Sequence, residues 1–322
     1  MTNSEHATPT SEASNAPSFG SRGQSAGLAA SAANLPSLIG RVVGGRYRIT
    51  RELASGGMGA LFVAVQESLQ REVALKVIKP GLVNERFRQR FDAEARAMSR
   101  CSHPNIVTLH DFGVDGDLPW LVLEKLDGRS LHEELESRGR MQWVRGVRVL
   151  RQIANALGEA HACHVVHRDL KPRNLFLVDR RTETDLVKVL DFGIAKILDK
   201  EASRVKTTIG VVLGTSGYIA PERLVGADVD GRSDLYALGA IAWDVLAGRA
   251  PFEAPNRIML SLLHMTQPAP SLRSVVDVPV ELDALVSALL EKDPAKRPAR
   301  AADVAHQLDD ILRVAARLDA RG

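Results

Sequence analysis

The sequence HRDLKPRN at residues 167–174, followed by DFG at residues 191–193, decides the fold of this 322-residue chain. In the first motif the carboxylate of Asp169 stands five residues before the carboxamide of Asn174, and the second motif adds the carboxylate of Asp191. Oxygen ligands of these two kinds suit Mg²⁺ when the ion also binds phosphate oxygens. The arrangement therefore indicates a nucleotide–metal site.

Both motifs, in this order and with intact spacing, resemble the catalytic segments of bacterial eukaryotic-type (Hanks-type) protein kinases. The Lys-Pro pair at residues 171–172 resembles the Ser/Thr branch of that family. The resemblance implies that Asp169 orients the attacking hydroxyl and accepts its proton, with Lys171 as a cation near the transferring phosphoryl group. Asn174 and Asp191 would hold the metal. ATP and Mg²⁺, with Mn²⁺ as a second suitable cation, are the implied cofactors, and proteins are the implied substrates.

Composition narrows the class of protein further. A formal net charge of +3, without basic runs interleaved with aromatic residues, argues against nucleic acid as a partner. Cys101 and Cys163 are the only cysteines, so the sequence predicts no disulfide framework and a reducing compartment. No apolar run approaches the roughly 20 residues that a membrane helix requires, and the N-terminus lacks a signal-peptide pattern. We therefore expect a cytoplasmic protein without a membrane partner.

The secondary-structure signals change along the chain. Residues 1–40 are rich in Ser, Ala, Thr, Asn and Gly and should be disordered, because they cannot bury enough apolar surface. Runs rich in Val, Leu and Ile predict strands at 47–53, 60–66, 72–78, 107–114 and 118–124, with a helix at 84–102. Helical signals then dominate, at 130–138, 143–163, 233–248, 280–292 and 301–317.

This order predicts an α+β fold, and the resemblance makes it the two-lobed protein kinase fold. A small β-rich N-lobe with one main helix would span residues 47–126, and a larger helical C-lobe would span 127–312. Residues 313–322 would complete the last helix and form a short tail. The hinge is expected at residues 125–128. ATP should lie between the lobes, against the hinge and Glu124, with Leu123 guarding the back of its pocket.

A glycine-rich stretch, LASGGMGAL at residues 53–61, joins two predicted strands. Glycines let the backbone approach phosphates and present N–H groups to them, so Gly56, Gly57 and Gly59 are candidate nucleotide-binding residues. Leu53 and Leu61 complete this part of the candidate site, with Leu61 as an apolar cover for adenine. The family pattern has Gly in place of Ala54 and Val in place of Leu61. A Cβ at residue 54 would disfavour a positive φ there.

The next strand carries VALK at residues 73–76, which resembles the V-A-I-K strand of the family. Strand alternation puts Ala74 beneath the base and Lys76, on the same face, towards the phosphates. In the following helix Glu94 shares a face with three apolar residues, Phe87, Phe91 and Met98. Because a buried carboxylate needs a cationic partner, we predict a Lys76–Glu94 ion pair; the alternative is a solvated Glu94 at the margin of the stripe.

The sequence GTSGYIAPE at residues 214–222 resembles the motif that closes the activation segment in this family. It implies a structural ion pair between Glu222 and Arg297. Asp234 would support the catalytic loop by accepting hydrogen bonds from its backbone.

Three residues are candidates for regulation. Arg168 precedes the catalytic Asp, and a cation there can clamp a phosphate on the activation segment. Thr207 and Thr208 are the candidate autophosphorylation sites; the alternative is that both are plain loop threonines.

Two other functions stay open at the level of the sequence. A pseudokinase would bind ATP without turnover, and only Ala54 and Leu61 favour it. A kinase-fold enzyme could also phosphorylate a small molecule, although the complete segment at residues 191–222 favours a peptide platform. Related bacterial kinases pair through their small lobes, so a transient homodimer for autophosphorylation in trans is a further expectation. The sequence names neither the protein substrate nor the activating signal.

Overall fold

The computed structural model describes residues 38–56, 59–79, 85–180, 183–192 and 216–319. The predicted disordered tail lies outside this range except for its last three residues, and Thr207 and Thr208 lie outside it as well. Leu38 is buried, and the amide of Gly40 donates to the carbonyl of Ile49 at 2.8 Å. The compact unit therefore begins at Leu38, earlier than residue 47.

An antiparallel sheet of six strands forms the first lobe. The strands are β1 (Val42–Val43), β2 (Tyr47–Ser55), β3 (Gly59–Gln66), β4 (Arg71–Ile78), β5 (Leu109–Asp115) and β6 (Leu118–Leu123). Their order in the sheet is β1-β2-β3-β4-β6-β5. Helix α1 (Glu85–Arg100) lies in the connection from β4 to β5.

Helix α1 packs on the sheet through one apolar stripe. Its buried side chains recur at helical spacing: Phe87, Phe91, Ala95 and Met98. The first three of these form a cluster with Ile78 of β4 and Leu121 of β6. Burial of this stripe, which holds two phenylalanines, fixes the helix against the middle strands.

The second lobe is helical around a small sheet. The helices are α2 (Leu131–Arg138), α3 (Trp143–Ala162), α4 (Pro221–Leu224), α5 (Gly231–Ala247), α6 (Arg257–Thr266), α7 (Val280–Leu289) and α8 (Ala301–Asp319). Strands β7 (Arg129–Ser130), β8 (Leu175–Arg180) and β9 (Glu183–Val189) form the sheet. Helix α5 is buried over nearly its whole length and packs against α3 and α7, so it forms the centre of the lobe.

The structure confirms the predicted α+β arrangement and corrects some of its elements. Helix α6 was not predicted, because its apolar residues do not form a buried stripe: Ile258 is 74% exposed and Met259 44% exposed. Strand β8 was also missed, since it follows the catalytic motif without a turn signal. The helix predicted at 280–292 ends at Leu289. Within the described residues, none of the helices combines the length and apolar character that crossing a bilayer requires.

Candidate active site

The loop that carries the HRDLKPRN motif, here called the catalytic loop, is held by Asp234 of helix α5. The carboxylate of Asp234 accepts hydrogen bonds from the amides of His167 at 2.8 Å and Arg168 at 2.9 Å, as predicted. It also contacts Nε2 of His161 at 2.9 Å. Burial acts to raise the pKa of Asp234, but these partners outweigh it and the pKa lies below its usual value. A buried carboxylate thus fixes the start of the loop.

Asp169, Lys171 and Asn174 form one hydrogen-bonded cluster. Nζ of Lys171 donates to Oδ2 of Asp169 at 2.7 Å. The amide nitrogen of Asn174 donates to the backbone oxygen of Asp169 at 2.8 Å and to its Oδ2 at 3.3 Å. Because Asn174 uses its N–H groups on Asp169, its amide oxygen is the atom it can offer to a cation.

Asp191 lies beside Lys76 of strand β4, with Nζ of Lys76 and Oδ1 of Asp191 2.6 Å apart. Burial acts to raise the pKa of Asp191, but the Lys76 ammonium outweighs it, so the pKa is lowered and the group stays ionised. Asp191 has a φ of 61° and Arg168 a φ of 69°, both in the left-handed region that non-glycine residues rarely adopt. Such strain commonly accompanies functional sites. No pattern in the sequence indicated these two backbone conformations.

Two contacts fix the position of Asp191 relative to the catalytic loop. The amide of Leu190 donates to the backbone oxygen of Asn174 at 2.9 Å, and Nε2 of His167 lies 2.8 Å from the backbone oxygen of Leu190. Next to Asp191, the buried ring of Phe192 packs on the ring of His167, with centroids 4.7 Å apart. These contacts hold Asp191 against the catalytic loop, although Asn174 and Asp191 are seventeen residues apart in the chain. The place where Asp169, Asn174 and Asp191 meet is here called the corner of the site.

The predicted Lys76–Glu94 ion pair is wrong for this structure. Among the described residues, Lys76 forms its ion pair with Asp191 and none with Glu94. The third apolar position of the α1 stripe is Ala95, and Glu94 lies half-buried at the margin of the stripe. One residue along a helix turns a side chain by about 100°, which is enough to direct Glu94 away from the centre of the face.

The glycine-rich turn is described on both sides of Gly57 and Met58. The amide of Gly56 donates to the backbone oxygen of Gly59 at 2.9 Å. Gly59 has a φ of 159°, and a Cβ there would stand 2.0 Å from the backbone oxygen of Val77. No other residue fits this position. Gly57 lies outside the described residues.

Ala54 causes no strain in this turn. It lies inside strand β2 opposite Leu61 of β3, and its φ is not positive. The absence of glycine at this position is therefore compatible with the backbone, and this argument for a pseudokinase loses its basis.

The expected adenine side of the site lies across strands β2, β3, β4 and β6. Ala74 pairs with Leu123 on the neighbouring strand, and both are buried; two residues along, Lys76 pairs with Leu121. Leu61 is half-buried against the same core cluster, whereas Leu53 is 43% exposed. Oε1 of Glu124 accepts hydrogen bonds from Lys188 and Thr108, so the side chain is engaged and we expect the backbone of Glu124 to face the nucleotide.

The end of the activation segment is anchored by two contacts. Glu222 and Arg297 form the predicted ion pair, a bidentate one with distances of 2.7 and 2.8 Å. The hydroxyl of Tyr218 donates to the carboxylate of Asp244 on α5, a contact that the sequence did not indicate. Burial raises the pKa of Asp244. A pocket between these anchors and the catalytic loop is lined by Asp169, Lys171 and Ile219, among others.

The candidate regulatory residues are only partly described. Nε of Arg168 is buried and has no hydrogen-bond partner among the residues that the structure describes. A buried donor of this kind is costly unless a partner arrives, which suits the approach of an anion.

The residues present fit a divalent cation of the magnesium kind. The described residues contain no cluster of three or more His, Cys, Asp or Glu side chains that could hold a metal alone. Asn174 and Asp191 provide an amide and a carboxylate oxygen, and Mg²⁺ characteristically takes one or two such ligands together with substrate phosphates.

A sheet lobe and a helical lobe around this corner define the protein kinase fold. A family model described as the protein kinase domain matches residues 47–308, and the chain belongs to this family. Serine/threonine-protein kinase pkn3 of Myxococcus xanthus is 39% identical over 288 residues, which cover 87% of this chain and 52% of pkn3. PknA of Mycobacterium tuberculosis is 38% identical over 265 residues, 80% of this chain and 59% of PknA.

The structural comparison agrees with the sequence comparison. The crystal structure of the Mycobacterium tuberculosis PknI kinase domain superposes with a TM-score of 0.66 at 26% identity. The match covers 86% of this chain and 100% of that domain. The two-lobed kinase fold and the likeness to bacterial Ser/Thr kinases are thereby confirmed. The chain spans about half the length of the curated relatives named above.

Proposed function

We propose that this protein is a Ser/Thr protein kinase that transfers the γ-phosphoryl group of ATP to hydroxyl groups of proteins. One observation carries the proposal. Asp169, Lys171 and Asn174 form a single hydrogen-bonded cluster, and Asp191 is held at the same corner beside Lys76. Phosphoryl transfer depends mostly on positioning and charge neutralisation, and this arrangement supplies both.

In the proposed reaction Asp169 orients the substrate hydroxyl and accepts its proton while the oxygen bonds to the γ-phosphorus and the bond to ADP breaks. Lys171 offsets negative charge on the transferring group, and Lys76 binds the phosphates of ATP. Asn174 and Asp191 would hold Mg²⁺, with Mn²⁺ as a second candidate, and the bound ion supplies charge neutralisation at the phosphates.

The proposed nucleotide site extends from this corner towards the hinge. The glycine-rich turn with Gly56, Gly57 and Gly59 would lie over the phosphates, because residues without a side chain let the backbone come close to them. Leu53, Leu61 and Ala74 form apolar walls for adenine, and the backbone at Glu124 borders the base. Glu94 remains a candidate partner of Lys76 at the nucleotide site only in a state of the protein in which α1 is rotated towards Lys76.

The test is incubation of the purified protein with ATP and either Mg²⁺ or Mn²⁺, followed by mapping of phosphosites by mass spectrometry. We expect phosphate on Ser or Thr, and a rate lowered at least about a hundredfold in Asp169→Asn, because a positioned base contributes that much or more. Asp117→Asn, in the exposed turn between β5 and β6, is the matched control. ATP binding without transfer to any protein acceptor would overturn the proposal, and transfer to aminoglycosides or alcohols alone would indicate a small-molecule kinase.

We further propose that autophosphorylation of Thr207 or Thr208 activates the enzyme, with Arg168 binding the phosphate. The buried, unpartnered Nε of Arg168 supports this role. A Thr207→Ala/Thr208→Ala double variant should lose most of its activity towards other proteins. Full activity in that variant would remove the hypothesis.

Two wider proposals concern assembly and location. A transient homodimer would phosphorylate itself in trans, and the rate of autophosphorylation per molecule should then rise with protein concentration. A rate that is independent of concentration would instead indicate reaction within one chain. A cytoplasmic location is supported by the two cysteines, both of which are free thiols, since thiols persist in reducing compartments.

A further inference from the structure

Lys188 is a buried cation that the proposed reaction does not use. It lies in strand β9 between Val187 and Val189 and is only 4% exposed. A buried ammonium is costly without a partner. Its Nζ donates to Oε1 of Glu124 at 2.5 Å and to the backbone oxygen of Ile106 at 3.3 Å. This ion pair joins the strand that leads to Asp191 with the residue that follows strand β6.

Glu124 is fixed at this point by its backbone as well as by its side chain. The same Oε1 accepts hydrogen bonds from the amide of Thr108 at 2.8 Å and from its hydroxyl at 3.1 Å. The amide of Glu124 donates to the backbone oxygen of Thr108 at 3.0 Å. Burial acts to raise the pKa of Glu124, but Lys188 and Thr108 outweigh it, and the pKa is lowered. The residue is therefore an ionised anchor at the start of the hinge.

Strand β9 is attached to the first lobe beside this ion pair. The amide of Val107 donates to the backbone oxygen of Val189 at 3.0 Å. The amide of Val189 donates to the backbone oxygen of Asn105 at 2.8 Å. The side-chain amide of Asn105 adds a bond to the backbone oxygen of Val187 at 2.8 Å. The ion pair of Lys188 adds Glu124 to residues 105–107 as a point where strand β9 is bound to the first lobe.

We propose that Lys188 is a positioning residue that fixes the distance between the hinge, where adenine would bind, and Asp191, where the phosphates and metal would bind. The inference rests on the proposed function, because it assigns one nucleotide to both places. Lys188 touches neither part of that nucleotide. It acts through Glu124 at one end and through the three-residue path to Asp191 at the other. A ligand that occupies both the adenine subsite and the phosphate subsite binds more tightly when their spacing is correct. The affinity of a ligand that occupies one subsite does not depend on that spacing.

The test replaces the pair by neutral residues of similar size in Glu124→Gln/Lys188→Met. Removing both charges together avoids leaving one of them buried and unpaired, so the Tm should stay within about 3 °C of the wild-type value. Lys188→Arg keeps the ion pair and is the conservative variant. Arg151→Met/Asp309→Asn removes another ion pair between elements, 2.7 Å long and joining α3 to α8, and serves as the matched control.

The measured quantities are two dissociation constants, that of adenosine without metal and that of a non-hydrolysable ATP analogue with Mg²⁺. The affinity advantage is the dissociation constant of adenosine divided by that of the ATP analogue. In the neutral double variant we expect adenosine to bind within about twofold of wild type. The affinity advantage should fall about tenfold, because the two subsites are no longer aligned. The Lys188→Arg variant should retain most of that advantage, and the control pair should retain all of it. If the double variant does not fold, Lys188→Met alone keeps the test valid with an intermediate loss of advantage, because the side chain of Glu124 is 20% exposed and still accepts from Thr108.

The outcomes separate this inference from the proposed function. A folded double variant with the wild-type advantage would overturn the positioning role and leave a purely structural ion pair. A wild type that shows the advantage but transfers no phosphate would overturn the proposed function, while the comparison between variants would still decide the role of Lys188. A wild type that binds neither ligand would overturn both.

Discussion

Asp234 shows how one residue can determine the geometry of a site that it does not enter. Its two carboxylate oxygens are occupied by two backbone amides of the catalytic loop and by His161. A neutral amide in its place would present an N–H group to one of these donors. The loss would affect both the fold and the position of Asp169.

We therefore predict that Asp234→Asn lowers the free energy of unfolding by about 3 kcal/mol, because a buried donor loses its acceptor. The rate of phosphate transfer should fall about a hundredfold, since small displacements of a catalytic group have effects of this size. Denaturant unfolding and initial rates measure the two quantities. Asp228→Asn, an exposed acid in the loop before α5, is the control. Wild-type stability in Asp234→Asn would contradict the role described here.

A second prediction at this scale concerns the thiol of Cys101. Burial, together with the neighbouring thiol of Cys163, raises the pKa of Cys101 to about 12. Because the thiolate is the reactive form, Cys101 should react with iodoacetamide at pH 8 at least about a hundredfold more slowly than a free cysteine. Its rate should rise about tenfold for each pH unit while the thiol remains mostly protonated.

Peptide mapping by mass spectrometry measures this rate, with glutathione in the same solution as the reference thiol. Labelling of Cys101 at the rate of the reference would show that the thiol is not protected. The two cysteines were predicted to form no disulfide framework, and both are free, yet they are neighbours in space although 62 residues apart in the chain.

Among the elements, helix α4 and the segment after α7 are joined by the Glu222–Arg297 ion pair. The side chain of Arg297 is 0% exposed and that of Glu222 9% exposed. Burial acts to raise the pKa of Glu222, but Arg297 and Ser233 outweigh it and the pKa is lowered. A lowered pKa in the folded state means that the pair stabilises the fold at pH values above the unfolded pKa of about 4.3. That stabilisation disappears as the pH falls through the folded pKa.

We predict that Glu222→Gln lowers the free energy of unfolding at pH 7 by about 3–5 kcal/mol, because Arg297 is left buried without its anion. The difference from wild type should shrink as the pH falls from the unfolded pKa of about 4.3 through the lower folded pKa of Glu222, where the carboxylate takes up a proton. Unfolding curves at several pH values test this, with the exposed Glu253→Gln as the control. A difference that stays constant down to the lowest accessible pH would contradict the assignment.

The elements themselves were predictable where their side chains have a regular pattern. Strands β2 to β6 of the first lobe were found from runs rich in Val, Leu and Ile, and helices α1, α3 and α8 from helical signals, whereas the two-residue strand β1 was missed. Helix α6 was not, since several of its apolar residues, including Ile258, face solvent. The Lys76–Glu94 pair failed for a related reason: helical periodicity locates a face to within one residue, and one residue decides between Glu94 and Ala95.

Considering the whole molecule, helix α5 is the element on which the second lobe is built. Thirteen of its seventeen residues are buried, and it holds both Asp234 and Asp244. We predict that its amide protons are among the slowest to exchange with D₂O, because their exchange requires global unfolding, whereas those of α6 exchange faster through local opening. Hydrogen exchange followed by mass spectrometry measures this. Equal protection of the two helices would contradict the central role of α5.

The sequence by itself determined the class of fold, the family and the identity of the candidate catalytic residues. These follow from local patterns: Asp169 and Asn174 are five residues apart in one loop, and Asp191 follows a strand. Tertiary structure decided the partners. Lys76 lies with Asp191, Lys188 with Glu124 and Tyr218 with Asp244, at separations of 115, 64 and 26 residues. Local periodicity records which side chains face the core, but which of them meet there depends on how the elements pack, and no spacing along the chain contains that information.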